Sequence, residues 1–215
     1  MRILPVLLAV VLALSLGACG TSRNLPAYER PLARTDFQQV RTTAYTHTEA
    51  DHEAYGNHNA MGGILHAAAP PFVPRAIPVA SADNRSRRDG YQSIAYVSPS
   101  QSFLGDRLSD QIYGSAAADW SRWPAGTIFR VVSTGQLYRV EDYGWALAGR
   151  NTIDLYMATP RDMNNWGARP ELIQIVQWGD PQESLRRLAP HTKYRHIRRM
   201  VLELEGKQRA AANLE

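Results

Sequence analysis

The sequence predicts a mainly β fold, a small barrel or sandwich, and three observations carry that prediction. Short runs rich in β-branched and aromatic residues recur at close spacing between Val40 and Trp178. Glycine-containing turns separate them. In Val40-Arg41-Thr42-Thr43-Ala44-Tyr45 the alternation has a period of two, the mark of a strand with one buried face. Apart from one short segment after Thr159, a helical period appears only beyond Pro181.

The 215-residue chain has room for one well-packed domain with appendages. Its charged fraction of 20% and hydrophobic fraction of 44% are those of a globular protein and exclude disorder of the chain as a whole. The formal charge of +4 comes mainly from arginine and suits any polyanion. Zinc-finger spacing, a basic region with heptads and an aromatic ribonucleoprotein motif are all missing, so no nucleic-acid partner is expected. A monomer is expected.

Residues 1–18 have the parts of an export signal: Arg2, an apolar run from Ile3 to Leu16, and small residues at the end. The run is too short to span a bilayer comfortably. Leu16-Gly17-Ala18-Cys19 matches the bacterial lipobox, in which cleavage precedes a cysteine that is then acylated. Cys19 is the only cysteine, so an intramolecular disulfide is excluded. Two or more acyl chains, at about 0.8 kcal/mol per buried CH₂, give stable anchoring. Gly20 stands where an inner-membrane retention signal places aspartate, which directs the expectation to the outer membrane, facing the periplasm.

Residues 19–37 carry Pro26 and Pro31 without an apolar period and read as a flexible linker. The domain is expected over 38–180. Its first strand begins at Val40, and Gly56, Asn57, Asn59, Gly62 and Gly63 then mark turns. Residues 67–112 read as an insertion, opening with Pro70, Pro71, Pro74 and Pro78. Strands are expected at 116–118, 127–132, 136–140, 152–157 and 172–178. A short helix follows Thr159, with Thr159 as N-cap, Pro160 at the first position, Asp162 at the positive end and Gly167 as the stop. Over 181–215, Leu185, Leu188, Ile197, Val201 and Leu204 predict a basic C-terminal helical tail, an amphipathic helix on the barrel.

Three aspartates are candidates for chemistry: Asp119 after Ala116-Ala117-Ala118, Asp142 closing Tyr138-Arg139-Val140-Glu141, and Asp154 within Ile153-Asp154-Leu155-Tyr156-Met157. The period of two puts Ile153, Leu155 and Met157 on one face and Asp154 with Tyr156 on the other. For each, an exposed edge position is the competing reading, and for Asp142, just before Tyr143-Gly144, a turn position.

The stretches Arg41-Thr42-Thr43-Ala44-Tyr45-Thr46-His47, Ala117-Ala118-Asp119-Trp120, Pro124-Ala125-Gly126-Thr127, Val140-Glu141-Asp142-Tyr143-Gly144 and Ile153-Asp154-Leu155-Tyr156 together resemble the "3D" domain, named for three aspartates. That family is related to the catalytic domain of membrane-bound lytic transglycosylase A. The resemblance runs from about 40 to 179, interrupted by the insertion. It implies a six-stranded double-psi β-barrel, peptidoglycan glycan strands as substrate, and no metal or other cofactor. It also implies that Asp154 is the catalytic acid with Asp142 and Asp119 in support, and that Tyr45, Thr46, His47, Gly144 and Tyr156 line the substrate groove. The implied reaction cleaves the MurNAc-GlcNAc bond and leaves a 1,6-anhydro-MurNAc end. An ordinary glycosidase needs two carboxyls. Here the sugar's own C6 hydroxyl attacks, so one aspartate serves first as acid and then as base.

Gly144-Trp145-Ala146-Leu147-Ala148-Gly149 departs from the family's Gly-Gly-Ala-Ile-Lys-Gly run, with Ala148 where lysine is usual. The chief rival is a noncatalytic peptidoglycan-binding lipoprotein on the same barrel. His47, Asp51, His52, Glu53 and His58 admit a transition-metal reading, but their spacing matches no standard zinc pattern.

Overall fold

The computed structural model describes residues 24–50, 52–69 and 113–214. The export signal, Cys19, Asp51 and residues 70–112 of the insertion lie outside the described residues.

Six strands form among the described residues: β1 (Phe37–Tyr45), β2 (Gly114–Ala118), β3 (Ile128–Val131), β4 (Leu137–Asp142), β5 (Thr152–Tyr156) and β6 (Arg169–Gln177). They close into a barrel in the order β1-β5-β2-β4-β3-β6, with β6 pairing back onto β1. The pairs β1/β5 and β2/β4 are parallel and the other four antiparallel. The expected mainly β class holds, as a barrel and not a sandwich. β1 and β6 each start three residues before the position the alternation suggests, at Phe37 and Arg169.

Alternation fills the barrel from every strand. Val40, Phe129, Val131, Tyr138, Val140, Ile153, Leu155 and Ile173 are all buried within it. On β2 the inward residues are only Ala116 and Ala118, and Trp120 and Trp123, shortly after it in the chain, belong to the same buried cluster. Trp120 is therefore a core residue, and its indole N–H donates to the backbone carbonyl of Asp142 at 2.9 Å.

The helix α1 (Pro160–Trp166) forms as its caps dictate: the Thr159 hydroxyl accepts from the Asp162 N–H, and Gly167 ends it at φ 65°. The C-terminal region differs from the single amphipathic tail expected. It is three helices, α2 (Pro181–Leu188), α3 (Arg195–Leu204) and α4 (Gln208–Ala212). Pro190 sits in a 3₁₀ turn after α2 and has no N–H to continue an α-helix, and Gly206 turns the chain after α3 at φ 76°. Leu188, Ile197, Met200 and Val201 belong to the same buried cluster as the barrel strands. This region is a structural part of the domain.

The flexible linker expected over 19–37 is likewise corrected for residues 24–37, which dock on the barrel. The Glu29 N–H donates to Gly149 O, and the Glu29 carboxylate accepts from Asn151 N–H and Arg150. Arg122 donates to Glu29 O and Arg199 to Pro26 O. A polar stretch with two prolines reads as flexible locally, but these arginines come from 93 and 173 residues away and anchor it.

The insertion leaves and re-enters at adjacent points. Ser115 N–H donates to His66 O at 2.7 Å, and a Cβ on Gly114 would stand 2.7 Å from Ala68.

Candidate active site

One row of residues crosses four strands. Thr43 on β1 is in register with Asp154 on β5, Asp154 with Ala117 on β2, and Ala117 with Asp142 on β4. Only the alanine methyl separates the two acidic positions, and two strand spacings put their Cα atoms about 10 Å apart.

Asp142 reaches this row through a β-bulge. Ala116 pairs with Val140, but Ala117 pairs with Asp142, so Glu141 is the extra residue. Without the bulge, strict alternation would send Asp142 inward with Val140, which is fully buried. The bulge re-aims it onto the outer face. Glu141 is held on that face by Arg139 at 2.6 Å, by the Ser115 hydroxyl at 2.7 Å and by the Asn59 amide at 3.2 Å.

Ala117, Asp142 and Asp154 of this row form the floor of a cleft of about 820 Å³. Its walls come from the segment after β1 (Glu49, His52, Tyr55, His58), the loop after β4 (Tyr143, Gly144, Trp145) and α3 (His196). Asp154 and Asp142 both line it.

The two carboxyls differ in setting. Asp154 Oδ1 accepts from the Thr43 hydroxyl at 2.7 Å. Burial pushes its carboxyl up to about 6, against the opposing pull of the Thr43 hydrogen bond, and the negative charges of Glu49 and Asp142 add to the rise. Asp142 is tied down at both oxygens, Oδ1 accepting from the Tyr143 N–H at 2.8 Å and Oδ2 facing His52 Nε2 at 3.3 Å. The Asp142 contact raises the His52 imidazole above its usual range, with burial opposing.

Tyr45 also lines the cleft, and its hydroxyl is buried without a hydrogen-bond partner among the described residues. Burial and then the nearby Asp142 and Asp154 hold that phenol well above its ordinary value.

Not every expected site residue meets in the cleft. Asp119 is fully buried away from it: its oxygens accept from the Ser121 and Gly149 N–H groups, with Arg122 at 3.9 Å. It holds the base of the loop that carries Gly144 and Trp145. Burial raises its carboxyl, and Glu203 adds to the rise. Gly144 lines the cleft, whereas Thr46, His47 and Tyr156 do not. The Thr46 hydroxyl is buried and its N–H donates to Glu49, shaping the turn. His47 Nδ1 and the Tyr156 hydroxyl lie 2.8 Å apart, and Tyr156 is covered edge-on by Tyr45. Of the residues in the metal reading, Asp51 lies outside the described residues. No three His, Cys, Asp or Glu side chains group as metal ligands among the described ones.

Sequence reasoning missed Glu49, Asn59, Glu141 and His196, and weighed His52 only as a ligand. Glu141 carried a signal, since it adjoins Asp142 within one motif. Nothing local marks His196, because a chain fold brings it from α3.

Fold and site define a closed six-stranded mixed barrel with an acidic, aromatic-walled cleft on its outer face. No protein-family model matches the chain, and no curated protein matches it either.

Proposed function

We propose that the chain is a lipoprotein of the bacterial envelope, tethered through Cys19 on the outer membrane and acting on peptidoglycan as a lytic transglycosylase. The observation that carries this reading is Asp154: a carboxyl on a cleft floor, sheltered enough to titrate at about 6, beside an acidic neighbour anchored at both oxygens. The interleaving of two parallel pairs within an otherwise antiparallel closed barrel supports the double-psi type that the sequence motifs imply.

A carboxyl with a value near 6 is protonated in roughly one molecule in ten at pH 7, enough for a general acid. Asp154 donates its proton to the glycosidic oxygen as the C1–O bond breaks. The C6 hydroxyl of the same muramyl residue attacks C1, and the Asp154 carboxylate takes the hydroxyl proton, restoring the acid. No water is consumed. Asp142, negative and fixed by Tyr143 and His52, stabilises the positive charge that develops on the sugar ring. Asp119 acts at one remove, by holding Gly149.

Digestion of purified sacculi, followed by mass spectrometry for anhydro-muramyl products, tests this. Wild type should release them, with a rate falling about tenfold per pH unit above 6, and Asp154→Asn should release none. Binding to sacculi with no such product at any pH would make the protein a glycan-binding module.

A further inference from the structure

His52 stands between two acceptors. Its Nδ1 lies 3.1 Å from Gly56 O and its Nε2 lies 3.3 Å from Asp142 Oδ2. A neutral imidazole has one N–H and can donate to only one of them. Both contacts become hydrogen bonds when the ring carries two protons, and the carboxylate supplies the compensating charge.

The ring also has two aromatic neighbours. Tyr45 on β1 lies 5.4 Å from it, and Tyr55 of its own turn meets it at 6.0 Å in an edge-on contact. The 3₁₀ turn Glu53–Tyr55 that His52 caps is one wall of the cleft, and Asp142 belongs to the floor. His52 is thus the side chain that joins the two.

We propose that His52 is a positioning residue: as an imidazolium bridging Gly56 O and Asp142 Oδ2, it fastens the Glu53–Tyr55 turn to β4 and sets the direction of the Asp142 carboxylate. The role in catalysis rests on the transglycosylase reading, whereas the bridge itself does not. Its neighbours among titratable groups are Asp142, Tyr45 and Tyr55. Asp154 and Glu49 share the cleft, and His196 and His58 line it from α3 and from the segment after β1.

The bridge is tested on the full chain in detergent, labelled with ¹⁵N-histidine. At pH 7 one histidine, assigned by its loss in His52→Gln, should show both ring nitrogens in the imidazolium range. Asp142→Asn should return it to a neutral ring. A neutral His52 at pH 7 with one protonated nitrogen would overturn the proposal, whatever the protein does to glycan.

The positioning role is tested on sacculi. His52→Phe keeps a ring beside Tyr45 and Tyr55 but removes both donors, and should lower kcat/KM about tenfold, the loss of one charge-assisted hydrogen bond. His52→Gln, which retains an N–H for Asp142, should recover part of it. Equal activity in all three proteins would refute the positioning role. If wild type itself proves inert on sacculi, the catalytic reading fails, and the ¹⁵N spectra alone decide the bridge.

Discussion

Replacing Asp154 by asparagine should make the protein more stable at neutral pH while removing its proposed chemistry. The carboxyl sits at about 6 in the folded chain against 3.8 as the ordinary value. Folding therefore takes up a proton between these values, and wild-type stability falls as pH rises from about 4 to about 6, then stays level. A rise of that size costs the ionised form about 3 kcal/mol at pH 8 and about 0.5 kcal/mol at pH 4. The figure is an upper one, because the cleft leaves part of the residue in contact with solvent. Asparagine carries no charge, and its amide oxygen can still accept from Thr43. In a domain of this size the gain should appear as a rise in Tm of roughly 6–12 °C at pH 8, shrinking to a degree or two at pH 4. Thermal unfolding of both proteins at the two pH values measures it. A variant no more stable than wild type at pH 8, or one stabilised equally at both, would refute the claim that its surroundings disfavour the charged form of Asp154.

Other residues give further expectations. Asp119→Ala leaves the Gly149 and Ser121 N–H groups without their acceptor in a buried site and should cost about 3 kcal/mol in urea unfolding, with early hydrogen exchange at Gly149. At Gly179 a Cβ would stand 2.2 Å from Ala125 O and 2.6 Å from Pro124 O, so Gly179→Ala should lose about 3 kcal/mol, measured by the same denaturation. Ending the chain at residue 180 removes Leu188, Ile197, Met200 and Val201 from the core; the product should show no cooperative thermal transition, whereas a dispensable tail would leave one.

The barrel was legible because β1, β3 and β6 write their burial into a two-residue alternation, and the α1 cap because Thr159, Pro160 and Gly167 act within a few residues of one another. Asp154 was legible for the same reason, as an acid on the outer face of an alternating strand. Asp142 was only half so. Its motif was visible, but its aim depends on where β4 slips against β2, and that slip belongs to the pairing of two strands. The docking of residues 24–37 and the burial of Asp119 depend on Arg122, Arg199 and Glu203. These side chains meet across most of the chain's length, which no local window registers.

The contrast among the acids is itself an argument about the cleft. Buried or half-buried carboxylates elsewhere have arginine partners: Glu141 with Arg139, Glu171 with Arg169, Glu203 with Arg122, Glu29 with Arg150. Pairing of that kind offsets the cost of taking a charge out of water. Asp154 has no such ion pair among the described residues; its contact is a threonine hydroxyl, and the charges nearest to it, Glu49 and Asp142, are of its own sign. The hydroxyl of Tyr45 beside it is buried and unpartnered as well. A chain that supplies arginine to its structural acids and withholds it from the cleft acids Asp142 and Asp154 keeps Asp154, the one sheltered by burial, ready to hold a proton.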